Sequence, residues 1–230
     1  VLDTTPPELV AVAAAAGFRT IGIRLTATPS VGVPPYDILS DGPLLRETLR
    51  RLADTGVSVL DTEFLRFEPE EARTLERFCE LCDRAAPYGL HVCLEFAIYT
   101  GVRTLAHAAR VVARSKRSNA AVLVDALHFS RSGGLPAHIA QVDPSLFRYA
   151  QICDAGPDMP GPGDTPALIR EARTGRLLPG EGVLPLAELV ATLPATLPLG
   201  VEAPCGAAAA LPAVERARRA YRALAALVGA

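Results

Sequence analysis

The stretch Ala121-Val-Leu-Val-Asp-Ala-Leu127 is apolar on both faces of any strand it forms, with a single carboxylate, Asp125, near its carboxyl end. A strand apolar on both faces is covered on both sides, as in a parallel sheet wrapped by helices. The segments around it alternate in the same sense. Upstream lie strand-like runs at Thr20–Leu25, Val57–Phe64 and Leu90–Phe96, separated by helical patterns at Pro43–Thr55, Pro69–Ala86 and Val102–Ser115. Downstream come a broken helical stretch at Pro136–Ile139 and Pro144–Leu146, then a strand at Arg148–Asp154. Helices at Asp164–Thr174 and Leu184–Leu193, a strand at Leu197–Ala203 and a closing helix at Ala208–Val228 complete the series. The chain enters its first helix through Thr5-Pro-Pro-Glu8, a hydroxyl cap followed by prolines, and Gly17 ends that helix.

Repeated strand-then-helix units imply a parallel sheet, either doubly wound or closed into a barrel. Even spacing, the lack of a glycine-rich nucleotide turn, and carboxylates at the carboxyl ends of several strands favour the barrel. The expectation is α/β, a (β/α)8 TIM barrel forming a single domain over residues 1–230. Six strands are clear. A weaker seventh is expected at Arg176–Leu178, and an eighth would precede Val1, so that the first strand is missing or truncated.

Bulk composition narrows the function classes. The 230 residues carry 23 basic and 25 acidic side chains, a formal charge of −2, and half are hydrophobic. No basic face or run points to nucleic acid. No apolar run reaches membrane-spanning length, and no signal peptide is visible. Five cysteines without a disulfide framework suit a reducing cytoplasm.

Four strands end in a polar residue set in an apolar run: Glu95, Asp125, Gln151 and Glu202. Each carboxylate, buried, needs a partner, and taken singly an arginine or backbone amides would serve. Three carboxylates and an amide converging at one barrel mouth are better satisfied together by one divalent metal ion. Oxygen ligands favour Mn²⁺ or Mg²⁺, with Co²⁺ or Zn²⁺ as alternatives. His128, three residues after Asp125, is expected to contact substrate beside that metal. Glu63 lines the pocket or pairs with Arg24 or Arg66. Arg176, Glu181 and Arg24 are further candidates for substrate binding, an arginine because it suits a carboxylate or phosphate, although each reads equally well as a surface residue. Cys79-Glu-Leu-Cys82 lies within an amphipathic helix and carries no redox expectation. His91, His107 and His138 read as structural or solvated.

Glu95, Asp125-Ala-Leu-His128, Gln151-Ile-Cys-Asp154, Gly180-Glu-Gly182 and Val201-Glu202 together resemble the xylose isomerase-like TIM-barrel superfamily. That group includes sugar phosphate isomerases and epimerases, inosose dehydratases, 3-dehydroshikimate dehydratases and the endonuclease IV branch. The resemblance covers essentially the whole chain. It implies that Glu95, Asp125, Gln151 and Glu202 are the metal ligands, that His128 touches substrate, and that Glu95 and Glu202 exchange protons with it. Histidine is the commoner third ligand, and Gln151 in its place resembles the dehydroshikimate dehydratase branch. The zinc cluster of endonuclease IV needs more histidines than the four present.

The function implied is a divalent-metal-dependent isomerase or epimerase. It would work through an enediolate of a small sugar-like or cyclitol-like substrate, without nucleic acid or membrane partners, as a homo-dimer or homo-tetramer. The alternatives are a metal-dependent dehydratase on the same site and a non-catalytic sugar-binding barrel.

Overall fold

The first helix shows how directly local chemistry sets the elements. In a computed structural model describing residues 3–27, 35–63 and 71–229, α1 (Pro6–Ala16) opens at Thr5. The Glu8 carboxylate accepts from the Thr5 N–H at 2.8 Å and from its hydroxyl at 2.6 Å. The helix stops where Gly17 takes φ 98°, a conformation costly for any residue with a Cβ. Strand β1 (Thr20–Arg24) follows, then α2 (Gly42–Thr55), capped by Asp41, whose carboxylate accepts from the Leu44 N–H at 3.0 Å. Strand β2 (Ser58–Glu63) pairs parallel with β1, from Thr20 beside Ser58 to Arg24 beside Glu63.

Beyond β2 come α3 (Glu71–Ala85), β3 (Val92–Glu95), α4 (Leu105–Ser115) and β4 (Ala120–Asp125). Then follow α5 (Ala126–Arg131), α6 (Pro136–Ile139), β5 (Phe147–Ile152), α7 (Thr165–Thr174), α8 (Leu186–Thr192), β6 (Leu199–Val201) and α9 (Ala213–Val228).

The chain groups into two compact units. One takes in Val1–Leu65 with Gly206–Ala225, and the other takes in Arg66–Cys205 with Ala226–Ala230. In the first, Val10, Ala13, Ile21 and Val57 form an apolar centre. Most of α9 belongs to this unit. Its Ala217 packs with Val12 and Ala16 of α1, and it meets the segments flanking that helix through the Phe18–Tyr221 edge contact, with centroids 5.2 Å apart, and through Arg216 donating to Asp3.

The second unit is built on a parallel sheet in the order β3-β4-β5-β6. Every residue of β4 is buried, which accounts for its unbroken apolar run. Adjacent strands in sequence are adjacent in space, so their carboxyl ends line up. Asp125 stands beside Gln151, and Ile152 beside Val201.

Two expectations are corrected. The strand read as Ala121–Leu127 ends at Asp125, and Ala126 and Leu127 begin α5, which carries His128. Arg176–Leu178 forms no strand; only isolated bridges join Asp154 to Leu177 and Gly175 to Cys205. The helix expected from Pro69 is described from Glu71, and Pro69, Glu70, Phe64 and Arg66 lie outside the described residues. Among the described residues no helix is long and apolar enough to cross a membrane.

Ile152, 0% exposed at the carboxyl end of β5, an inner strand of this sheet, anchors the strand carrying Gln151. Ile152→Ala is expected to lower unfolding free energy by about 2–5 kcal/mol in urea titration. A loss below ~1 kcal/mol would show that the strand is not packed as described.

Candidate metal and active site

The four polar strand ends meet the second unit's sheet at one edge. Glu95 is the last residue of β3, Asp125 the last of β4, Gln151 the penultimate residue of β5, and Glu202 the first beyond β6. Parallel strands present their carboxyl ends together, which is why these types of fold place chemistry there.

Asp125 is fully buried and makes two bonds that fix it. As the N-cap of α5, it accepts the His128 N–H on Oδ1 at 2.9 Å. Its Oδ2 accepts from Arg176 Nη1. Burial pushes the Asp125 carboxyl upward, but the Arg176 guanidinium and His128 outweigh it and hold it below the usual carboxylate range.

Arg176 is 2% exposed and is committed inward. Its Nη1 also donates to the Glu202 main-chain oxygen at 2.9 Å and lies 3.5 Å from the Glu202 carboxylate. It contacts Cys153 Sγ at 3.4 Å, and its Nε donates to the Ala172 carbonyl at 2.9 Å. The Cys153 thiol is pushed up to about 12, chiefly by burial and then by Asp125. The sequence left Arg176 open to a substrate carboxylate or to solvent. The structure instead makes it the internal partner of two site carboxylates.

His128 is buried, with Nε2 3.8 Å from Glu95 and 3.4 Å from Arg176 Nη2. Arginine has no acceptor, so the Arg176 contact is a hydrogen bond when Nε2 presents its lone pair, with the ring proton on Nδ1. Burial, opposed by Asp125, holds its pKa below the ordinary value. Tyr99 packs edge-on against this ring, with centroids 5.6 Å apart.

A divalent ion fits these donors. One ligand atom each from Glu95, Asp125 and His128 lies within 4.8 Å of the others. Gln151 is 7% exposed, and its Oε1 has no hydrogen-bond partner among the described residues. A buried carbonyl oxygen without a partner is costly, and a cation is one way to satisfy it.

The remaining candidates have partners of their own. Arg24 and Glu63 belong to the first unit, where the guanidinium donates to the carboxylate at 2.9 Å. Glu181 is exposed and turns back on its own loop, accepting the Leu178 N–H at 3.2 Å. Two features escaped the sequence reading. Tyr99, just past the β3 exit, had only its position to mark it. The largely buried pair of Arg131 and Glu171, at 2.6 Å, joins residues forty apart on α5 and α7.

Residues 63–227 match the family model described as xylose isomerase-like TIM barrel. Among solved structures, a xylose isomerase-like TIM barrel/4-hydroxyphenylpyruvate dioxygenase fusion protein superposes at TM-score 0.78 with 19% identity. The match covers 97% of this chain but 41% of the fusion protein. An IolI protein with a bound zinc atom superposes at 0.70 with 19% identity, covering 96% of this chain and 92% of that one. The probable 3-DHS dehydratase AsbF of Bacillus anthracis, involved in petrobactin synthesis, superposes at 0.59 with 15% identity, covering 94% and 92%. No curated protein matches the sequence. At these identities the likeness establishes the TIM-barrel fold.

Removing Arg176 leaves Asp125 buried without its counter-charge. Arg176→Met is expected to cost about 3–5 kcal/mol of stability in denaturant titration, and Arg176→Lys distinctly less. Equal losses would mean that the charge is not what Asp125 requires.

Proposed function

The chain belongs to the xylose isomerase-like TIM-barrel family, and from that premise we propose that it is a divalent-metal-dependent isomerase or epimerase acting on a small polyhydroxylated carbonyl compound. The observation that carries this reading is the buried Gln151 Oε1, without a hydrogen-bond partner among the described residues, on a sheet edge shared with Glu95, Asp125 and Glu202.

Glu95, Asp125, Gln151 and Glu202 would hold the ion, which when bound supplies Lewis acidity that weakens the C–H bond beside a substrate carbonyl. The protein supplies the rest. Glu95 and Glu202, at 41% and 24% side-chain exposure, are open enough to meet substrate, whereas Asp125 is not. One of them takes the proton from the carbon beside the carbonyl. Its return to the neighbouring carbon, with a proton passing from one oxygen to the other, completes isomerisation; donation of a proton held by the second carboxylate to the opposite face completes epimerisation. Neutral His128, steadied by Tyr99, orients a substrate hydroxyl. Arg176 keeps Asp125 and Glu202 in register. A reducing cytoplasm suits five free thiols.

Gln151 also favours a second reading, dehydration, in which the same proton removal is followed by departure of a β-hydroxyl that leaves as water. A screen of ketoses, inososes and 3-dehydroshikimate with Mn²⁺ added, followed by deuterium uptake from solvent and by ultraviolet absorbance, separates the two. Deuterated product without new absorbance supports isomerisation or epimerisation, and a conjugated product supports dehydration. Elemental analysis showing no divalent metal, even after loading, would sink both.

Glu202→Gln is expected to reduce metal-dependent turnover by about 10²-fold or more while leaving the circular dichroism spectrum and melting temperature near wild type; full activity would reject the assigned carboxylates. His128→Ala is expected to retain bound Mn²⁺ but to lose turnover through a higher KM and a lower kcat. Wild-type kinetics would make the histidine purely structural.

A further inference from the structure

Asp154 lies just beyond β5 and is 1% exposed, yet it has no place in the chemistry above. Its carboxylate gathers backbone amides. Oδ1 accepts from Ala155 N at 2.9 Å and from Leu184 N at 2.9 Å, and Oδ2 accepts from Gly180 N at 3.0 Å. Its own main chain exchanges two hydrogen bonds with Leu177, each 2.9 Å. A buried carboxylate is tolerable only when so satisfied, and convergent amides of this kind make an anion-holding nest.

The segment it holds is built to be held. Gly180 has φ 88°, which brings its amide round to the carboxylate. Gly182 passes so close that an added Cβ would stand 2.2 Å from the Ala155 carbonyl oxygen and 2.4 Å from Asp154 Oδ1. Val183 N also donates to Ala155 O at 3.0 Å. The two glycines of Gly180-Glu-Gly182 thus serve Asp154, and the residue preceding the clamped Leu177 is Arg176.

We propose that Asp154 is a positioning residue: it clamps the Leu177–Leu184 segment to the end of β5 and so fixes the Arg176 guanidinium against Asp125 and Glu202. The clamp stands on these contacts alone. Its consequence for metal affinity and turnover rests on the metal-site reading above.

The clamp is tested first in the wild-type protein by amide hydrogen exchange. The Gly180 and Leu184 amides are expected to exchange at least about a hundredfold more slowly than unprotected loop amides; loop-like rates at both would overturn the clamp without any variant being made. The link to Arg176 is tested with Asp154→Asn, which presents an NH₂ where Gly180 N–H needs an acceptor, and with Gly182→Ala as a second variant that wedges the segment away from β5. Native alkylation is expected to reach Cys153 in either variant while sparing Cys82, which is equally buried at 0%. Labelling of both thiols alike, or of neither, would overturn local release of the segment.

Mn²⁺ titration calorimetry closes a double-mutant cycle. Asp154→Asn is expected to weaken binding about tenfold, and to weaken it less than about twofold when Arg176→Lys is already present, because both changes break one linkage. Tenfold losses in both backgrounds would show that Asp154 does not act through Arg176. Failure of wild-type protein to bind Mn²⁺ would instead reject the metal-site reading, with the exchange and alkylation results still deciding the clamp.

Discussion

The second unit is organised around the buried ion pair between Asp125 and Arg176. A carboxylate with no solvent exposure costs several kcal/mol unless its charge and lone pairs are answered. Asp125 is answered twice, by the guanidinium on one oxygen and by the first turn of α5 on the other. That second bond explains why β4 passes into α5 with no intervening loop: the last strand residue is already the helix cap. It also seats His128, whose backbone makes the cap bond and whose ring then faces Glu95 and Arg176. The first bond sets the cost on the other side. Arg176 must be drawn into the interior from the α7–α8 connection, and its approach needs its neighbours tied down, as the paired bonds between Leu177 and Asp154 do.

The strands and their order of burial were legible because period and polarity depend on local sequence. The unbroken apolar run ending in Asp125 reads as a strand buried on both faces, and that is what β4 is. The grouping of Glu95, Asp125, Gln151 and Glu202 followed from strand-end position alone. What could not be read was the partner of each charge. Arg176 and Asp125 are fifty-one residues apart, and nothing in the pattern near either one distinguishes an inward arginine from a surface one. The Arg131–Glu171 pair was missed for the same reason. The strand expected at Arg176–Leu178 failed differently. Arg-Leu-Leu has strand-like composition, but Leu177 is spent on Asp154 and Gly175 on Cys205, so no continuous ladder forms.

The two glycines around Glu181 show how a family motif acquires a physical meaning. As sequence, Gly180-Glu-Gly182 drew attention to its acid. In three dimensions the acid caps its own turn, and the glycines matter: one for a positive φ that turns an amide inward, the other for a backbone passing where no side chain fits. Both serve the carboxylate of Asp154. A polar residue at a strand end can therefore stand beside the chemistry or hold the frame around it, and burial with backbone partners separates the two.

Two overlapping sets of cation donors meet at these strand ends. His128 lies close enough to Glu95 and Asp125 to be a ligand by distance. With the ring proton on Nδ1, however, its Nε2 lone pair faces Arg176 Nη2, a donor with no acceptor capacity. Using that lone pair for a metal would require the guanidinium to withdraw, and the guanidinium is what keeps Asp125 and Glu202 in place. Gln151 carries no such conflict, because its Oε1 is buried and has no partner among the described residues. The strand ends thus offer an all-oxygen set, Glu95, Asp125, Gln151 and Glu202, beside the group within ligand distance, Glu95, Asp125 and His128. Oxygen donors favour hard ions such as Mg²⁺ and Mn²⁺, and an imidazole in place of Gln151 would move the preference toward zinc.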